Sequence, residues 1–238
     1  MDDLDHIGLT RLPTANRPLL GLTVLVVEDS RYACEALRLM CLRSGARLRR
    51  ADCLKSARRH LQVYRPTVAV VDMGLPDGSG ADLIAEMSGG VPRVEVILAT
   101  SGDDFTETEA FSAGADGFLA KPLSNLEVFQ TAILSRLPHD RRPLGPRSVS
   151  QEVIVPDPVA YRDDMAHAAD VLTDALDDRT VAYVVQFLSG VARSAGDSTL
   201  MEAAIALSES RDKGLPVHSL AASLAGMVQD RLAEKVAI

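Results

Sequence analysis

Glu28 and Asp29 follow the run VLVV, and Asp72 follows VAVV. Ser101 closes VILAT, and Lys121 closes GFLA. Each run is apolar, often β-branched, and stops abruptly at a polar residue. That pattern marks a buried parallel strand with its functional group at the carboxyl edge. Brought to one edge, the three carboxylates make an acidic nest, flanked by a hydroxyl and an ammonium group. Such a set of oxygen donors suits a hard divalent cation.

The elements that must position these groups are legible too. Short apolar runs lie at 22–27, 46–50, 67–71, 94–99 and 117–119. Helical stretches near 31–44, 53–64, 80–88, 104–113 and 123–136 alternate with them. Five βα units predict a parallel sheet covered by helices on both faces. Right-handed crossovers favour the flavodoxin-like strand order 2-1-3-4-5, with ligands at the carboxyl ends of the strands. Arg47, Arg49 and Arg50 make the second strand an edge strand with an exposed face.

The chain of 238 residues has room for two domains. Residues 1–20 read as a tail and 21–137 as the α/β domain. Residues 138–160 read as a linker: they contain Pro138, Pro143, Pro146, Pro156 and Pro158, with Arg141, Arg142 and Arg147. Residues 161–238 read as an all-α, up-down four-helix bundle, with helices at 161–177, 179–195, 197–212 and 216–236. Asp197 and Ser198 are candidate N-caps, and Pro216 suits a helix start. Cys34, Cys41 and Cys53 lack metal-ligand spacing and read as reduced thiols on helices of a cytoplasmic protein. No apolar stretch approaches the roughly 18 residues needed to cross a bilayer, and the acidic N-terminus is unlike a signal peptide. The net charge of −8 argues against nucleic acid as a partner. From residue 151 onward acidic side chains outnumber basic ones two to one.

In their order and spacing, Glu28-Asp29, Asp72 with LPDGSG, Ser101-Gly102 and Lys121-Pro122 resemble the receiver domain of bacterial two-component response regulators. The resemblance covers about 22–136. It implies that Asp72 accepts a phosphoryl group from a sensor histidine kinase or a histidine-phosphotransfer (HPt) donor. It implies a Mg²⁺ ion held by Asp29, Asp72 and the carbonyl of Gly74, with Glu28 acting through water. Lys121 would pair with Asp72 and then with the phosphoryl oxygens, and Ser101 would donate a hydrogen bond to them. Thr100 is the alternative hydroxyl. Phe118, three residues before Lys121, stands where that family carries an aromatic switch; a plain core residue is the alternative. Beyond its own phosphorylation and dephosphorylation, no enzymatic activity is implied.

The stretch from Val184 to Leu207 resembles an HPt domain, over about 163–232. That family carries a histidine, a lysine three residues later and a glycine next. Here Gln186 stands for the histidine, Ser189 for the lysine, and Gly190 is kept. Val181, Val184, Val185, Leu188 and Val191 form one apolar stripe. Gln186, Ser189 and Arg193 fall off it. The resemblance implies a pseudo-HPt bundle that contacts proteins in a phosphorelay, another receiver domain or its own among them. A dimerisation bundle on a phosphate sink and a DNA-binding transcriptional regulator are the alternatives. His167 and His218 lack the lysine-glycine sequel.

Overall fold

Three strands without alternation need both faces covered, and this sequence supplies them. In the computed structural model, which describes residues 12–103, 105–145, 153–174 and 178–234, β1 (Thr23–Val27), β3 (Val68–Asp72) and β6 (Val96–Ser101) are buried almost throughout. They form the centre of a five-stranded parallel sheet of order β2-β1-β3-β6-β7. β2 (Arg47–Ala51) and β7 (Gly117–Ala120) are the edges. The flavodoxin-like order expected from the sequence is therefore observed. A two-residue hairpin, β4 (Gly74–Leu75) with β5 (Gly78–Ser79), was not foreseen. It lifts the Pro76-Asp77 turn so that the Asp77 carboxylate accepts from the amides of Leu54 and Lys55. That caps α2 (Leu54–Val63), whose own N-cap residue, Cys53, makes no side-chain cap.

One core lies between the sheet and two helices, α1 (Arg31–Ser44) and α5 (Leu126–Leu134). The other lies under α2, α3 (Gly80–Gly89) and α4 (Thr106–Ser112). Gly80 is required at the head of α3, because a Cβ there would collide with the carbonyl of Asp72. Of the expected tail, residues 1–11 lie outside the described residues. Leu19 is fully buried in the α1–α5 core. Part of the expected linker, with Arg147, also lies outside them. Its far end is fastened to the α/β domain: Val153 bridges to Asn125, the Ile154 amide donates to Ser124, and the Ile154 side chain is buried.

The second half is a four-helix bundle of α6 (Pro158–Asp174), α7 (Asp178–Ala195), α8 (Ser198–Asp212) and α9 (His218–Ala233). Consecutive helices pack together and α9 closes on α6. The predicted stripe of α7 is buried in its core. Asp197 caps α8 by accepting from the Leu200 amide. It also accepts from Tyr161 at 2.8 Å and from Arg231 at 2.8 Å, tying three helices at one point. Chiefly through Arg231, its carboxyl is held down at about 2. Asp197→Ala is expected to cost the bundle about 2 kcal/mol, read as a lower midpoint in thermal denaturation. No helix among the described residues is long and apolar enough to cross a membrane.

Candidate functional site

The strand ends bring the predicted residues together. Asp72 is the last residue of β3, Glu28 and Asp29 follow β1, Ser101 ends β6, and Lys121 follows β7. Oxygens of Glu28, Asp29 and Asp72 lie within 4.8 Å of one another. Lys121, itself buried, donates to Oδ2 of Asp72 at 2.9 Å. Its Nζ also lies 2.8 Å from Oε2 of Glu28. That ion pair is the contact the structure gives Oε2 of the fully buried Glu28. Three carboxylates converging in this way, with a single ammonium between two of them, fit a hard divalent cation, whose ligands are oxygens.

The neighbouring groups sort the remaining candidates. Ser101 is buried at the rim, and its Oγ accepts from the Asp103 amide at 3.0 Å. Thr100 is turned inward, and its hydroxyl donates to the Leu119 carbonyl at 2.8 Å. The Gly74 amide points to Oδ1 of Asp72 at 3.4 Å. The Lys121-Pro122 peptide is cis. Phe118 is half-buried against the core beneath α2, α3 and α4.

Electrostatics follow from crowding three acids out of water. Burial first, then the charge of Asp72, raises Glu28 well above the usual carboxylate range. The same causes raise Asp29 to about 6. Burial alone would lower Lys121, but Asp72 and Glu28 outweigh it and hold the ammonium protonated. A carboxyl raised by folding binds protons more tightly in the folded state. Its contribution is therefore lost as pH rises from the unfolded value through the folded one. Without divalent cations, the thermal midpoint is expected to fall as pH rises from about 4 to about 7. Adding Mg²⁺ at pH 7 should reverse that fall. A midpoint that climbs steadily over this range would contradict the assignment.

Three residues at this site were not predicted for it, and all come from the bundle. Asp164 of α6 is buried at the head of α1. It accepts from Ser30 Oγ at 2.7 Å, from the Arg31 amide at 2.7 Å and from the Tyr32 amide at 3.0 Å. Tyr183 of α7 donates to Oδ2 of Asp29 at 2.8 Å, with His167 Nε2 3.2 Å from the same hydroxyl. Arg193 lies beside the loop after Ser101: a Cβ built on Gly102 would be 3.5 Å from its Nε. Nothing in the sequence separates Asp164 from the other acids of α6. The face of α7 bearing Gln186, Ser189 and Gly190 turns toward the acidic nest. A Cβ at Gly74 would overlap the Gln186 amide. Between the two halves lies a cavity of about 740 Å³, lined by groups from both.

Residues 24–133 match the family model described as "Response regulator receiver domain". The chain is 32% identical over 106 residues to the transcriptional regulatory protein PhoP of Escherichia coli O157:H7, covering 44% of this chain and 48% of that protein. It is 31% identical over 99 residues to the transcriptional regulatory protein KdpE of Mycobacterium tuberculosis, covering 42% of this chain and 44% of that protein. Among solved structures, a putative response regulator from Chloroflexus aurantiacus is 28% identical. It covers 48% of this chain and 98% of that one, with a TM-score of 0.45. The chain spans about half the length of the curated relatives it matches.

Proposed function

We propose that the chain is a two-component signalling protein phosphorylated on Asp72, a reading supported by the match of residues 24–133 to the response regulator receiver domain. The observation that carries this reading is the buried Lys121 ammonium, hydrogen-bonded to Asp72 and paired with Glu28 inside the acidic nest. A carboxylate so placed is the one best able to receive a phosphoryl group, because the ammonium can follow the charge to the new oxygens. Glu28, Asp29, Asp72 and the Gly74 carbonyl would hold Mg²⁺. When bound, the ion would screen the repulsion between carboxylate and phosphate. Ser101 sits at the rim to donate to the phosphoryl group, and Phe118 is the residue to follow it. The donor is a sensor histidine kinase or an HPt protein.

The bundle is a pseudo-HPt domain whose output is protein contact. Its support is the face that α7 presents to the receiver: Gln186, Ser189 and Gly190, in the place and spacing of a phosphotransfer site. Gln186 has no nucleophilic nitrogen, so this helix cannot carry phosphate. Here it docks on its own receiver, so another receiver or donor would compete for the same surface. The acidic balance of the bundle disfavours DNA as its target.

Incubation with acetyl phosphate and Mg²⁺ tests the reading. The expected product carries one base-labile, acid-stable phosphate per chain, and chelating the Mg²⁺ prevents its formation. Label stable to base, or formed equally without a divalent ion, would place the chemistry elsewhere.

A further inference from the structure

We propose that the docked bundle is a built-in phosphatase for the aspartyl phosphate, in which Gln186 orients the attacking water and Arg193 neutralises the charge on phosphorus. The inference rests on Asp72 as acceptor and adds an activity to the helix that faces it. Hydrolysis of an acyl phosphate needs a water on the side of phosphorus away from the leaving carboxylate. That side is the cavity of about 740 Å³ between receiver and bundle. On its receiver wall lie Asp72, Ser101 and Lys121, and Gln186, Ser189 and Arg193 line the other wall. The space admits a phosphoryl group and a water without separating the two halves.

The Gln186 amide rests on Gly74, two residues beyond Asp72, where any side chain would displace it. An amide offers both an acceptor and donors. It can take a hydrogen bond from a water and so aim a lone pair at phosphorus, the role glutamine plays in nucleotide hydrolysis. Where a histidine would trap the phosphoryl group, glutamine cannot, and water is left as the nucleophile. Arg193 supplies the second element. Its Nε is buried without a hydrogen-bond partner, beside the loop that follows Ser101. Ser189 lacks the lysine cation of an HPt site, and Arg193 lies one helical turn further along the same face. A guanidinium there can pair with the phosphoryl oxygens as charge builds. In the step, the water oxygen bonds to phosphorus and the bond from phosphorus to the Asp72 oxygen breaks. The products are the Asp72 carboxylate and dihydrogen phosphate, which keeps both water protons.

The test uses the full chain. The protein is labelled with ³²P-acetyl phosphate, freed of donor, and the loss of base-labile label is followed. Gln186→Ala is expected to lengthen the half-life at least about tenfold, and Arg193→Ala likewise. Gln186 is exposed, so its replacement leaves the bundle core intact. Slow exchange of the Arg31 and Tyr32 amides reports that docking persists. Gln186→His is expected to divert label to an acid-labile, base-stable form, since an imidazole would then stand in line with phosphorus. An unchanged or shorter half-life in Gln186→Ala with docking retained overturns the proposal, as does the absence of acid-labile label in Gln186→His. A parent protein that takes no label at all overturns the assignment of Asp72 instead.

Discussion

Asp72→Asn is expected to reduce incorporation of phosphate from acetyl phosphate to below about 1% of the parent level. The substitution keeps the shape of the side chain and exchanges a carboxylate oxygen for an amide nitrogen. An amide oxygen is a far weaker nucleophile than a carboxylate, and it cannot form the same acyl phosphate. The fold should tolerate the change, because Lys121 retains Glu28 as its anionic partner at 2.8 Å. One carboxylate fewer also relieves the crowding that raises Glu28 and Asp29. The variant should therefore be no less stable than the parent when divalent ions are absent. Autoradiography after denaturing electrophoresis, with a thermal melt beside it, reads both. An Asn variant labelled as strongly as the parent would move the acceptor to another residue.

Asp164→Ala is expected to release the bundle from the receiver. The first turn of a helix has amides with no partner inside the helix. At α1, Ser30 caps the amide of Ala33, and Asp164 from the other domain takes those of Arg31 and Tyr32. It also holds the Ser30 hydroxyl in its capping position. Removing it leaves three donors without that partner at a part-buried joint. The cost is on the order of 3 kcal/mol, or about a hundredfold in the balance between docked and free. By contrast, the neighbouring pair Arg31–Asp163 is exposed on both sides and should contribute little. Hydrogen exchange at Arg31 and Tyr32 should accelerate in Asp164→Ala and stay near the parent rate in Asp163→Ala. Equal protection in all three proteins would show that the joint is held elsewhere. Tyr183 gives a second fastening through Asp29, and Tyr32 and Tyr161 meet edge to face at 6.0 Å across the same joint.

The receiver was legible because its signals are local and redundant. A run such as VAVVD has one sensible place in a parallel sheet, and the polar residue that ends it falls at the carboxyl edge. The arginines of β2 likewise announced an edge. The hairpin β4–β5 was hidden in four residues that also read as a simple loop. Leu19 and Ile154 read as parts of a tail and a linker, since a single apolar residue among prolines carries no period. For the bundle, the apolar stripe of α7 and the cap at Asp197 could be read directly. The joint between domains could not. Gln186, Ser189 and Arg193 fall off the stripe, which reads as facing outward. In the structure, outward from the bundle means toward the receiver. Asp164 looks like any other acid of α6 until the unpartnered amides of α1 are set beside it.

The anchorage of Ile154 sets the terms on which any partner gains access. Its side chain is buried in the receiver core, and α6 begins at Pro158. Only residues 155–157 lie between, a span of at most about 14 Å even when drawn out straight. On so short a leash, a released bundle samples a small volume around its own docking surface. The effective local concentration is then on the order of millimolar or higher. A kinase or phosphotransfer protein present at micromolar levels would be outcompeted a thousandfold or so at equal intrinsic affinity. On the proposed function, a phosphodonor would have to bind more tightly than the bundle does, or act in the brief intervals when it is away.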